Sequence, residues 1–264
     1  MPIVCSLSFE SLTTDEMRAF DRPVMRCAYS VQNELGRLCN EFIYKNSFRK
    51  RLRRSGFDVI TELPIELSFE KFATTLYVDA VINSRVPYEL KSVRQLTTEH
   101  ETQLLTYMLL MKVNRGKLIN FRPERVESRF VNSTITWEER YQFEVDKQNW
   151  AGDPAFCTMV EALVSDWGTC LSGPLYTQAV TANLGGEEVV VHELPLSLDD
   201  EFIGNQKFRL FAPDVAYGIT TFNRKDLSKQ ESHLGRLVAA THLSSMYWVN
   251  VARHEVVFRT IRGR

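Results

Sequence analysis

The sequence predicts an α/β protein, and three observations carry that expectation. Two apolar, β-branched stretches, L-Y-V-D-A-V-I around Asp79 and V-P-Y-E-L-K-S-V around Glu89, read as strands. The turn-forming N-S-R-V-P lies between them. Helical periodicity precedes and follows this pair, and the second half of the chain alternates helices and strands again.

Taken in order, residues from about Arg26 to Arg54 read as one long helix, with Val31, Leu35, Leu38 and Phe42 as its apolar stripe. Glu41 and Tyr44 lie three apart beside that stripe. A lone carboxylate next to a buried face is costly, so Glu41 is a candidate site residue; the alternative is a surface glutamate at the stripe edge. After the Asp79 and Glu89 strands, T-T-E-H-E-T-Q-L-L-T-Y-M-L-L-M-K-V repeats its apolar residues at helical spacing, and Gln103 and Tyr107 share one face.

Beyond Phe130 the character changes. Residues 132–153 read as a connecting strand and loop. A helical region covers Phe156 to about Leu184, with a break near Gly173-Pro174 and an end at Gly185-Gly186. Then come strands in V-V-V-H-E-L-P-L-S-L and F-R-L-F-A-P-D-V-A-Y-G-I-T-T-F, a helix from about Gln230 to Tyr247, and a last strand, E-V-V-F-R-T-I. Two domains are expected, 1–135 and 136–264. Glu62-Leu63-Pro64 recurs as Glu193-Leu194-Pro195 at an offset of 131 residues, which sets Asp214 near the equivalent of Asp79. Nothing like E-L-K follows Asp214. One reading is a tandem duplication whose second copy has lost its site; the other is an unrelated C-terminal α+β domain. Tyr247, Trp248 and Phe258 read as core, and His242 and His254 as structural or surface residues.

The chemistry centres on Asp79, Glu89 and Lys91. Positions i and i+2 of a strand point to one face, so Glu89 and Lys91 project together toward the Asp79 strand. Carboxylates suit a hard divalent cation such as Mg²⁺ or Mn²⁺. Such an ion polarises a phosphodiester and acidifies water, while the Lys91 amine can orient that water or stabilise developing charge. Glu-x-Lys alone is a weak motif, and a solvated charge pair on an edge strand is its ordinary explanation.

The combination is more specific. Leu35-Gly36, Glu41, Tyr44 and Gly56 are followed by Glu62-Leu63-Pro64, Asp79, Glu89-Leu90-Lys91, then His100, Gln103 and Tyr107, and finally Ile119-Asn120-Phe121. From Tyr29 to Phe130 this order resembles the GxxExxY branch of the PD-(D/E)XK nuclease superfamily. One departure stands out: Leu38 occupies the position of the motif's glycine. The resemblance implies a restriction-endonuclease-like core with a mixed sheet flanked by helices. It also implies a Mg²⁺- or Mn²⁺-dependent nuclease acting on nucleic acid, with DNA as the expected substrate. Asp79, Glu89, the Leu90 carbonyl and Glu41 would serve the metal, and Lys91 the attacking water. Gln103 and Tyr107 would order the site or touch substrate. The alternative is a catalytically weak or inactive nucleic-acid-binding or scaffold subunit of a repair or defence complex, working with a protein partner or a second copy.

Charge and composition agree with a nucleic-acid partner only locally. The 264 residues carry a net charge of −1, but residues 1–131 hold 20 Lys and Arg against 16 Asp and Glu, and residues 132–264 hold 12 against 17. The densest run, Arg49 to Arg54, would place Arg49 and Arg53 against phosphates; the helix macrodipole is the other reason for cations there. The five cysteines are odd in number and include no C-x-x-C, which excludes a recognisable zinc or iron–sulfur pattern and fits a reducing cytoplasm. No apolar run reaches membrane length, no secretory n-region opens the chain, and neither a P-loop nor a Gly-rich dinucleotide motif occurs.

Overall fold

In the computed structural model, which describes residues 2–10 and 12–263, the chain divides into two compact units. The first comprises Met1–Leu67 and Thr74–Trp137; the second comprises Ser68–Ala73 and Glu138–Arg264. Among the described residues, no helix is long and apolar enough to cross a membrane. The architecture is mixed α/β.

The first unit runs β1 (Ile3–Cys5), α1 (Thr14–Leu35), α2 (Glu41–Arg54), β2 (Val59–Phe69), β3 (Phe72–Ile82), β4 (Val86–Lys91), α3 (Thr98–Leu110), β5 (Arg115–Asn120) and β6 (Glu127–Asn132). Its sheet order is β1-β2-β3-β4-β5-β6. Neighbours β3 and β4 are antiparallel, β4 and β5 parallel, β5 and β6 antiparallel. The parallel step requires a crossover, which α3 supplies. Gly116 makes that crossover tight, since a Cβ there would come within 2.8 Å of the Met108 Sδ.

The single long helix expected from Arg26 to Arg54 is two helices. α1 starts at a capping box between Thr13 and Glu16 and stops at Gly36, whose φ of +68° leaves the helical region. A new helix then begins at Glu41, and the interruption resets the helical phase. Tyr44, Phe48 and Leu52, four apart, become the buried face of α2. Val31 stays in the core, while Leu35, Leu38 and Phe42, expected in the stripe, are exposed.

The α1–α2 turn is pinned by Tyr44. Its hydroxyl donates to the Gly36 carbonyl at 2.8 Å and accepts from the Cys39 N–H at 3.1 Å, and its ring stacks on Phe121, 4.8 Å between centroids. Tyr44→Phe keeps the stack and leaves both backbone groups without that partner. We expect a loss of about 1–2 kcal/mol, read as a fall in the urea midpoint. A change of only a few tenths would mean that the turn is held by other interactions.

The second unit runs β7 (Glu144–Asp146), α4 (Pro154–Trp167), α5 (Gly173–Asn183), α6 (Glu187–Val190), β8 (Val191–Leu198), β9 (Glu201–Ala212), β10 (Val215–Thr220), α7 (Leu227–Ala239), β11 (Ser245–Val251) and β12 (Glu255–Ile261). Its sheet order is β7-β12-β11-β10-β9-β8, with β10 and β11 parallel. The break between its first helices falls at Gly168, φ +74°, and Pro174 opens α5 rather than interrupting a helix. The late helix ends at Ala239, not Tyr247. Tyr247 and Trp248 lie in the fully buried strand β11. Asp214 sits in the turn between β9 and β10, so it is not the counterpart of the strand residue Asp79.

Candidate active site

Strand pairing brings the first two carboxylates together. β3 and β4 pair Ala80 with Tyr88; continuing that register sets Asp79 opposite Glu89. Both are buried, Asp79 at 6% and Glu89 at 2% exposure. Two like charges across a strand pair repel, and each carboxylate is met by a cation. Lys91 Nζ lies 2.7 Å from Glu89 Oε1. Lys45 Nζ lies 2.5 Å from Asp79 Oδ1 and 3.0 Å from Glu41 Oε1. Backbone N–H groups complete the arrangement, with Leu90 donating to Asp79 Oδ2 at 2.8 Å and Ser92 to Glu41 Oε2 at 3.2 Å.

The electrostatics follow from that crowding. Burial first, and the Asp79 charge second, raise the Glu89 carboxyl to about 7, against the pull of Lys91 and Lys45. For Lys45, burial opposes the charge, but the bonds and charges of Asp79 and then Glu41 outweigh it, so its ammonium is held well above the ordinary lysine value. Tyr107 is raised chiefly by burial, with the charges of Glu89 and Asp79 adding to the effect. Its hydroxyl accepts from Gln103 Nε2 at 2.8 Å, so the two residues on one helix face form a pair.

The remaining sequence candidates divide. Arg49 lines the pocket that contains Lys45, Asp79, Phe42 and Glu62. Arg53 turns its guanidinium to the Val59 carbonyl, 2.9 Å away, where it steadies the start of β2. His100 caps the start of α3 by accepting from the Thr97 N–H at 2.9 Å. Asn120, at the end of β5, brackets Val93 with two hydrogen bonds, accepting from its N–H at 3.0 Å and donating to its carbonyl at 2.9 Å. Sequence reasoning passed over Lys45. Its one signal was a lysine four residues after Glu41, the spacing of an ordinary helix ion pair.

The donor set fits a hard cation. Oxygen atoms dominate it, and Glu89 Oε2 is buried with no hydrogen-bond partner, an unusual state for a carboxylate oxygen. Among the described residues, however, no three His, Cys, Asp or Glu side chains gather closely enough to hold a metal. Lys45 stands between Glu41 and Asp79.

A family model described as the PD-(D/E)XK nuclease superfamily matches residues 18–131, the span that contains every one of these side chains. Over that segment the chain is similar to the PD-(D/E)XK nuclease superfamily. No curated protein matches the chain. A solved structure titled "Crystal structure of SSO0001" is 18% identical, with 45% of this chain and 60% of that one covered and a TM-score of 0.30. The chain thus spans about 60% of the length of the solved structure it matches. The PD-(D/E)XK segment coincides with the half that carries the basic excess.

Proposed function

We propose that the chain is a metal-dependent nuclease that hydrolyses phosphodiester bonds of nucleic acid, DNA in the first instance. The observation that supports this most is the facing pair Asp79 and Glu89, with Lys91 bonded to Glu89 and an orphaned Glu89 oxygen beside it. Asp79, Glu89, the Leu90 carbonyl and Glu41 would hold Mg²⁺ or Mn²⁺. A bound divalent ion supplies Lewis acidity and a more acidic water. Lys91 opposes the burial that favours the protonated form of Glu89 and would place an ammonium where negative charge develops on the phosphoryl oxygens. Tyr107, held by Gln103, lies near enough to Glu89 and Asp79 to feel their charge. Arg49 offers a positive contact for phosphate at the pocket.

Labelled single- and double-stranded DNA, incubated with Mn²⁺ or with EDTA, tests the reading. Cutting is expected with Mn²⁺ and none with EDTA. A folded protein that binds Mn²⁺ but does not cut would point to activation by a partner. Neither cutting nor metal binding would leave a nucleic-acid-binding scaffold.

Lys45 makes a separate prediction. Its ammonium holds the oxygens that a cation would need. Lys45→Met should lower the stability of the metal-free protein by about 1–3 kcal/mol, a buried-pair cost discounted for partial exposure. It should also raise the affinity for Mn²⁺, measured by calorimetry. Unchanged or weaker binding would show that Asp79 and Glu41 do not receive the cation.

We infer also that the second unit is a degenerate copy. Its support is the order shared by β2 to β6 and β8 to β12, each with one parallel step (β4–β5, β10–β11), and two shared hydrogen-bond patterns; the N-terminal strands differ, β1 pairing antiparallel with β2 and β7 parallel with β12. Tyr176 donates to the Gly168 carbonyl and accepts from the Leu171 N–H, as Tyr44 does with Gly36 and Cys39. Asn250 brackets Phe222 as Asn120 brackets Val93. With Asn250 set against Asn120, the strand registers replace Lys91 by Thr220, Glu89 by Gly218 and Asp79 by Phe208. Trp248, paired with Gly218, donates to Thr220 Oγ1 at 2.8 Å, and Met246 Cε lies 2.7 Å from where a Gly218 Cβ would stand.

A further inference from the structure

Phe42 is large, aromatic and 72% exposed, and it lines the same pocket as Asp79, Lys45 and Arg49. An aromatic ring open to water beside a charged cleft offers a flat apolar face to a ligand held there. The cleft itself is small, about 100 Å³, enough for a few waters or a phosphoryl group and too little to enclose a nucleobase. A base attached to a phosphate in this pocket therefore has to lie outside it, where the Phe42 face is open.

A second observation concerns three loops at the carboxyl ends of the parallel strands β4 and β5. The α1–α2 turn, the segment after Lys91 and the segment after Asn120 are tied together. Ser92 Oγ donates to the Cys39 carbonyl at 3.2 Å, Asn120 Oδ1 accepts from Val93 and Arg122 N–H groups, and Gln32 Nε2 donates to the Phe121 and Pro123 carbonyls. These loops carry Arg37, Arg94, Arg122 and Arg125, all exposed, against the single carboxylate Glu124. None of the four arginines makes an ion pair among the described residues. Cations left unpaired on loops that the Ser92 N–H ties to Glu41 suit a polyanion that tracks along them.

We infer that the site takes single-stranded nucleic acid, stacking an unpaired base on Phe42 while the loop arginines follow the backbone. This rests on the nuclease reading for the pocket but not on cleavage. A base in a duplex is stacked on its neighbours and has no free face for Phe42; an unpaired base does.

The test is equilibrium binding in EDTA, which separates binding from cutting. Fluorescence anisotropy compares a labelled oligothymidine with a duplex of equal length. Wild type should prefer the single strand. Phe42→Ala should weaken single-strand binding by about 5- to 100-fold, the range for one base stacked on an aromatic side chain, with little effect on the duplex. Phe42→Trp should restore it. Arg94→Ala with Arg122→Ala should reduce the slope of log K against log salt by about 0.7 for each phosphate no longer neutralised. Tighter binding of the duplex by wild type, equal weakening on both substrates in Phe42→Ala, or no weakening at all would overturn the inference. If wild type cuts DNA but Phe42→Ala binds normally, the inference fails and the nuclease reading stands. If the single strand binds through Phe42 and is never cut, the inference stands and the nuclease reading fails.

Discussion

Lys91→Ala is expected to reduce metal-dependent cleavage by about 10²- to 10³-fold, the usual effect of removing one preorganised donor from developing phosphoryl or acyl charge. The fold should survive, because Lys91 lies at the end of β4 and bonds to Glu89 rather than joining the core cluster around Tyr44, Tyr88 and Phe121. Two routes lead to that reduction, and a binding measurement separates them. If the variant still binds Mn²⁺ but does not cut, Lys91 acts on the reacting phosphate or its water. If Mn²⁺ binding also disappears, its main contribution is to keep Glu89 ionised, since the lysine is the nearest cation opposing the burial and the Asp79 charge that raise that carboxyl. Cleavage that persists at more than about a tenth of the wild-type rate would remove Lys91 from the mechanism. The second unit should not rescue activity. Thr220, Gly218 and Phe208 stand at the positions that Lys91, Glu89 and Asp79 occupy in the first, and none of them is a carboxylate or an amine.

Much of this site is readable in the sequence because strands report locally. β-branched residues around Asp79 and Glu89 define two strands, and a period of two puts Glu89 and Lys91 on one face. The α1–α2 region is different. Gly36 belongs to a motif and also ends a helix, and periodicity run through it assigns Leu38 and Phe42 to a stripe that does not exist. A phase reset of this kind depends on one residue at positive φ. Lys45 was hidden for another reason. Glu41 and Lys45 look like a solvated helix pair, and only the tertiary approach of Asp79 gives the lysine a part in the site. The short apolar stretch at Tyr247 and Trp248 shows the remaining ambiguity, since periodicity alone cannot separate a buried strand from the end of a helix.

Glu89 also makes the metal-free protein sensitive to pH in an unusual direction. Its carboxyl titrates at about 7 in the folded chain, against an ordinary value of 4.5. Between those values the folded state holds a proton that the unfolded state has released. Stability is therefore greatest at low pH in that window and falls as pH rises through about 7, the reverse of a salt-bridged carboxylate. The shift corresponds to about 2–4 kcal/mol at 1.36 kcal/mol per pH unit. In EDTA, the urea midpoint of wild type should drop between pH 5 and pH 8 relative to Glu89→Gln, whose amide cannot ionise. Parallel curves for the two proteins would show that burial and Asp79 do not load Glu89 in this way. Adding Mn²⁺ should reverse the trend for wild type, because a cation binds the ionised carboxylate and its stabilisation grows as the proton leaves. One titration thus reports two quantities. The slope in EDTA measures the combined effect of burial and the facing Asp79 charge on Glu89, and its reversal by metal measures how far a cation relieves it. A reversal in wild type that is absent in Glu89→Gln would assign that relief to the Glu89 carboxylate, whose Oε2 is buried without a hydrogen-bond partner.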